Sequence, residues 1–478
     1  MGSLVFYYDV VCPFAYMASR TIERVGQRAG VNVTWRPVLL GGLYENVKAP
    51  QGKDGSATDV MAPAKAALLH QDLIRQLQRC RAPFSQPSHH PQKTVHAMRL
   101  LAGISDNQTR ASVSQALYKA YWADSKDVSD MSLLQEIGAR FSVDAQQLIS
   151  SPTSSATLRS NTKEAADRGA FGVPSFFVND QLYYGADRLF LVERALGVRT
   201  AEPERLLHPP KDSNLSSHLS FYFDYSSPWS FLGCMKLQAM IDSVKPVNVV
   251  IEWVPILLGA LFRQIGTPLV PMQAMSEAKV KYGTKDMKDW CDYAQVELQW
   301  PDVFPLRTVL PLRVTIASKC DPMLIMHLYK AAWQRKKDIG NEEVLRGVLQ
   351  EEGFAAESLL AAANTDEIKQ QLQASTQRAI TAGLCGVPSF QVNHGPVVWG
   401  QDRMHVVADM LCGWECTLPS AKLAILSARS CMKHSASWPK TPSTDTTSGL
   451  TIGQRQHPRC RYDGASVSMT RISNNATV

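Results

Sequence analysis

The chain has 478 residues, 45% of them apolar and 19% charged, a length and composition that predict two or three soluble globular domains. No apolar run is long enough for a membrane-spanning helix, so no membrane partner is expected. Most of the net charge of +7 lies beyond Thr417, where eight Lys/Arg face two Asp, and the nearly neutral remainder argues against nucleic acid as a partner.

The phrase "LVFYYDV" from Leu4 alternates as a buried strand does and starts too near Met1 to be a processing segment. A cytoplasmic setting is expected, and ten cysteines without scaffold spacing agree with reducing conditions. Cys12 is followed by Pro13, which opens a helix where its missing N–H costs nothing. "VNVTWRPV" reads as a second strand, followed by roughly a hundred residues of helical pattern. "GVPSFFV" from Gly172 gives a third strand, a short hairpin gives a fourth, and a last helix starts near "ADR".

After a polar, proline-bearing stretch over 201–217 the same order begins again. "LSFYFDY" precedes Ser227 and Pro228, "VNVVIEWVPI" follows, "GVPSFQV" starts at Gly386, and "QDR" ends at Arg403. "HPQKTVHAMR" is echoed by "FPLRTVLPLR" from Phe304, and "LYKAYW" by "LYKAAW" from Leu328. Cys12 aligns with Ser227 at a shift of 215 residues and Gly172 with Gly386 at 214, so the repeat is a whole domain rather than a solenoid unit. The predicted organisation is a domain over 1–200, a linker over 201–217, a second domain over 218–416 and a disordered Ser/Thr/Arg-rich tail over 417–478. Strand–helix–strand, helical insert, strand–strand–helix is a thioredoxin-like α/β plan, here present twice.

The residue before each helix-opening proline faces unpaired N–H donors and the positive end of the helix dipole. A thiol there has its pKa lowered and becomes a reactive thiolate, which marks Cys12 as a nucleophile. Ser227 lacks that acidity, but its hydroxyl can donate to a sulfur anion brought by a ligand. "GVPSF" is compatible with a cis X–Pro turn. In a thioredoxin plan that turn lies against the start of the first helix and leaves the backbone of Val173 and Val387 free to pair with a peptide-like ligand. Asp187 and Asp402 read as helix caps or as acids that hold an α-amino group. His89 and His90 read as exposed loop residues, Cys385 as a buried apolar cysteine, and "CGWEC" lacks the second pair a metal site needs, so no metal is expected.

Taken together, "FYFDYSSPWSFL", the helical insert, "GVPSF" and "WGQDRM" resemble the kappa-class glutathione transferases and the 2-hydroxychromene-2-carboxylate isomerases, within the wider DsbA-like group of thioredoxin folds. The resemblance covers about 3–198 and 218–413. It implies glutathione as the cofactor, with Ser227 activating its thiolate. It further implies that Val387 and Pro388 pair with the tripeptide backbone, and that Gln401 and Asp402 hold its γ-glutamyl end. By the same carry-over Val173, Pro174, Ala186 and Asp187 serve the first repeat, where Cys12 replaces the serine. The second cysteine of a C-x-x-C motif is absent, since Ala15 stands there. The expected activity is a glutathione-dependent isomerase or transferase acting on a small electrophile, with the second repeat the more family-like site. The alternative is a monothiol oxidoreductase working through Cys12, the second repeat being structural. Tandem fusion would fix the two repeats as an intramolecular pseudo-dimer.

Overall fold

A computed structural model describes residues 2–209 and 215–416, all within one compact unit. The tail expected to be disordered lies outside the described residues. In the first repeat β1 (Leu4–Tyr8) leads into α1 (Pro13–Ser19), then β2 (Val33–Pro37). A helical insert spans 63–167 and begins with the long α2 (Pro63–Arg79); β3 (Ser175–Val178), β4 (Gln181–Tyr184) and α3 (Leu189–Ala195) complete the repeat. The second repeat repeats the order with β5 (Ser216–Phe223), α4 (Pro228–Asp242), β6 (Asn248–Pro255), α5 (Glu277–Ala294), β7 (Ser389–Val392), β8 (Val398–Trp399) and α6 (Met404–Leu411).

Each sheet has the order β2-β1-β3-β4 or its counterpart β6-β5-β7-β8, the first pair parallel and the others antiparallel. Alternation places the same aromatic residues on one face of each sheet. Phe6 sits opposite Trp35 and Phe176, with ring centres 5.0 and 5.3 Å away; Phe221 sits opposite Trp253 and Phe390 at 5.4 and 5.3 Å. Aromatic cross-strand pairs of this kind set the register of a sheet. β5 starts at Ser216, two residues inside the stretch expected as linker, because Ser216 and Ser217 pair with Asn248 and Val249 and extend the ladder. The linker is also tied down: the buried Asp409 accepts the amides of Leu206 and Leu207 and the Arg205 guanidinium.

The repeats exchange helices across their common boundary. From α2, Arg75 donates to the Val397 carbonyl at 2.7 Å, and Leu68 packs among Leu258, Leu261 and Val387 of the second repeat. From α5, the Tyr282 hydroxyl accepts the Tyr184 amide at 2.9 Å, and the Lys285 ammonium lies 3.9 Å from the Tyr183 ring centre. Between them lies a cluster of guanidiniums and carboxylates. Arg188 binds Asp286 through two bonds of 2.8 Å and reaches Asp402 at 3.1 Å. Arg403 answers with Asp72 at 2.8 Å and with Asp187.

Candidate active site

The turn from each first strand into each leading helix is held by an aspartate. Asp9 accepts the Val11 amide at 3.2 Å and the Leu40 amide at 2.9 Å, which locks the turn to the segment after β2. Asp224 does the same with Ser226 at 2.9 Å and Leu258 at 2.8 Å. Burial pushes Asp9 up to about 6 although these amides pull the other way. Sequence reasoning missed both residues. The signal was an Asp at the same place in "FYYDV" and "FYFDY", read there as strand pattern alone.

These turns place Cys12 and Ser227 at the N-caps of α1 and α4. The Cys12 thiol donates to the Val173 carbonyl at 3.1 Å, and the Ser227 hydroxyl donates to the Val387 carbonyl at 3.2 Å. Both Val173–Pro174 and Val387–Pro388 are cis. Ser227 also accepts the Ser230 amide at 3.2 Å. Each sulfur- or hydroxyl-bearing residue is therefore brought against its own proline turn.

The electrostatics of Cys12 differ from the sequence expectation of a lowered pKa. Burial pushes its thiol up to about 12, and the Ala15 and Phe14 amides at the head of α1 pull it down too weakly to compensate. Cys12 is a protonated hydrogen-bond donor here, which is the chemical role expected of Ser227.

A cavity of about 1210 Å³ opens at Cys12, with Val173, Pro174, Ala186 and Asp187 in its wall and Tyr282 and Arg403 contributed by the second repeat. Ser227, Val387, Pro388, Gln401 and Asp402 do not line it. The side chains at corresponding positions of the two repeats also differ. In the second repeat the Lys236 ammonium donates to Gln401 Oε1 at 2.7 Å and lies 4.3 Å from the ring centre of the buried Trp290. The aligned positions in the first repeat carry Thr21, Ala186 and Gln76, smaller or uncharged side chains that border the open volume. The Gln401 side-chain oxygen is thus engaged by Lys236, whose own pKa burial draws down to about 7.

Asp187 and Asp402 serve the boundary between the repeats. Burial raises the Asp187 carboxyl, but the guanidiniums of Arg188 and Arg403 hold it well below the usual range. Both guanidiniums bind its Oδ2. Gly185 and Gly400, at φ 101° and 105°, start these turns, and a Cβ on either would collide with the carboxylate two residues on. Sequence reasoning singled out the aspartates of "ADR" and "QDR" and passed over the arginines, which carry the contact.

His90 corrects a second expectation. It is half-buried, with its ring 5.1 Å from that of Trp122, and it lines the cavity instead of standing free in a loop. Cys385 is buried beside Leu384 and Val387. Among the described residues no helix is long and apolar enough to cross a membrane.

The family described as the DSBA-like thioredoxin domain matches residues 3–197 and again 218–412. The chain belongs to the DsbA-like thioredoxin family. Both repeats are DsbA-like domains, and relatives of the chain carry enzyme names. A 2-hydroxychromene-2-carboxylate isomerase from Sphingobium xenophagum is 28% identical over 194 residues, covering 40% of this chain and 96% of the relative. Glutathione S-transferase kappa 1 from Rattus norvegicus is 27% identical over 218 residues, covering 42% and 93%. Among solved structures, a 2-hydroxychromene-2-carboxylate isomerase aligns at 24% identity and a TM-score of 0.36, over 41% of this chain and 95% of that one.

Proposed function

We propose that the chain is a glutathione-dependent isomerase or transferase whose working site is the first repeat. The observation that carries this reading is the joint placement of a protonated Cys12 thiol, the cis Val173–Pro174 turn and a cavity of about 1210 Å³. The fit to a tripeptide thiol rests on the Val173 amide, which has no hydrogen-bond partner among the described residues and adjoins the cavity. An extended peptide backbone supplies the carbonyl such an N–H requires. Val173 and Pro174 would hold the tripeptide backbone, with Ala186 and Asp187 at its amino end. Glutathione, when bound, supplies a sulfur nucleophile for addition to an electrophilic carbon. Cys12 donates a hydrogen bond to that sulfur and favours its anionic form, as a serine would in the same place. The wall built by the two repeats orients the electrophile and limits access of water.

The second repeat then acts as a structural partner, the two halves forming a pseudo-dimer within one chain. Its Ser227 is positioned as Cys12 is, but Lys236, Gln401 and Trp290 are packed together there, where the first repeat has Thr21, Ala186 and Gln76. A redox role for Cys12 is less well supported, since burial keeps its thiol protonated.

The test is a calorimetric titration with glutathione, paired with a thiol-conjugation assay. One glutathione per chain is expected. Cys12→Ala should lower the conjugation rate about 10²-fold, whereas Cys12→Ser, which keeps a donor, should stay within about tenfold of wild type. Absence of binding, or an unchanged rate in Cys12→Ala, would reject this assignment.

A further inference from the structure

The cavity at Cys12 holds a polar group that neither repeat motif accounts for. His90 Nδ1 lies 2.8 Å from the Tyr121 hydroxyl, and that hydroxyl accepts the Gln92 amide at 3.3 Å. Burial raises the Tyr121 pKa, so the phenol keeps its proton. Among the described residues the acceptor within reach of that proton is His90 Nδ1. Nδ1 is therefore the acceptor, and the neutral ring carries its proton on Nε2. Burial also draws His90 down to about 4, so the ring stays neutral near pH 7.

Nε2 has no hydrogen-bond partner among the described residues, and the ring lines the cavity. The ring is fixed on Trp122, whose indole N–H donates to the Val10 carbonyl at 2.9 Å, two residues from Cys12. This anchor is duplicated, for Trp333 donates to the Tyr225 carbonyl at 2.7 Å in the second repeat. The polar set is not. His90 and Tyr121 align with Phe304 and Ala332, so this pair of polar side chains occurs only in the first repeat, at the cavity beside Cys12.

We propose that His90, oriented by Tyr121, donates its Nε2–H to a carbonyl or phenolate oxygen of an electrophile bound at Cys12. This role for His90 deepens the glutathione-dependent reading and rests on it, and it requires an electrophile whose oxygen gains charge as sulfur adds. Addition of a sulfur nucleophile at the β-carbon forms a C–S bond and moves the π pair onto the carbonyl oxygen. A preorganised neutral donor facing that oxygen stabilises the charge as it develops, without a proton having to leave His90. Reversal of the addition returns the pair and expels the sulfur, which completes an isomerisation; protonation of the α-carbon completes a transfer.

Three variants separate the possibilities. His90→Phe installs the residue the second repeat already accommodates, His90→Gln keeps an N–H donor, and Tyr121→Phe removes the group that sets the tautomer. With 4-nitrophenolate as the probe, binding to His90→Phe should weaken about tenfold, while His90→Gln should stay within about threefold of wild type. In conjugation to an enone, His90→Phe should lose about 10² in kcat with little change in the KM for glutathione, yet keep its rate on an aryl chloride, where no carbonyl oxygen gains charge. Histidine-ring nitrogen NMR should place the proton on Nε2 in wild type and show tautomer exchange in Tyr121→Phe. Equal phenolate binding by wild type and His90→Phe, or a ring proton on Nδ1, would overturn the proposal. If wild type conjugates no acceptor, the glutathione reading fails, while phenolate binding and the ring tautomer still decide the role of His90.

Discussion

Replacing Arg188 by Met tests how the two repeats hold together. Its side chain is 10% exposed, and it is the principal counter-charge of Asp286, which is 7% exposed. Without the two bonds of 2.8 Å from Arg188, Asp286 keeps, among the described residues, only the Tyr282 hydroxyl at 3.4 Å, a long contact to a neutral donor. Asp187 and Asp402 retain Arg403, so the orphaned charge is concentrated on Asp286. Stranding one member of a buried ion pair costs about 3–5 kcal/mol, a large part of the roughly 5–15 kcal/mol that holds a folded domain. Asp286→Leu should cost less, about 1–3 kcal/mol, because Arg188 then keeps Asp187 and Asp402. The decisive variant is the double one. Arg188→Met with Asp286→Leu leaves no orphaned charge at this contact and should be more stable than Arg188→Met alone. Urea unfolding followed by tryptophan fluorescence and far-UV dichroism measures all three. If the double variant is no more stable than the single Arg188 variant, the cost does not come from an uncompensated Asp286 and the argument fails.

The titration of Cys12 gives a second prediction. With its folded pKa near 12, above the ordinary thiol value, the native state holds this proton more tightly than the unfolded chain. Its contribution to stability is therefore complete below about pH 9 and is lost as pH rises toward 12, so wild type should lose stability relative to Cys12→Ser across that window. Alkylation of Cys12 near pH 8 should also be slow, and a labelling midpoint below 9 would contradict the burial argument. Asp9, with a folded pKa near 6, follows the same sign at lower pH: its contribution is present below about pH 4 and is lost as pH rises through 6. Carboxyl-carbon NMR should show the Asp9 midpoint near 6, and a midpoint at or below 4 would mean that the Leu40 and Val11 amides outweigh desolvation.

The parts of this molecule that read directly from sequence are those fixed by local chemistry. Alternating aromatic strands, a proline at the first turn of each leading helix and a proline turn before each third strand all appear where the pattern puts them. What did not read directly depends on packing between distant segments. The position of Cys12 at a helix N-terminus predicts a lowered pKa, but the burial that raises it comes from the whole surrounding wall. His90 looks like a loop residue because the ring that covers it, Trp122, is more than thirty positions away in the chain. The arginines of "ADR" and "QDR" also reach partners far away in sequence, since Asp286 and Asp72 lie on the helices exchanged between the repeats.

The same contrast bears on the cavity of about 1210 Å³, which opens at Cys12 although the second repeat is the more family-like. Ser227, Gln401 and Asp402 keep the motif, and motif strength alone favours the second repeat. A motif specifies contacts to a ligand; it does not specify empty space. Lys236 satisfies Gln401 from within and Trp290 covers Lys236, so the motif residues are held by their own neighbours. In the first repeat the aligned positions are Thr21, Ala186 and Gln76, and the same backbone encloses an open volume instead. The second repeat contributes Tyr282 and Arg403 to the wall of the cavity at Cys12. Of the differences between the repeats at these aligned positions, Ala186/Gln401 lies within the "ADR" and "QDR" motif, whereas Thr21/Lys236 and Gln76/Trp290 lie outside the motifs by which the repeats are recognised.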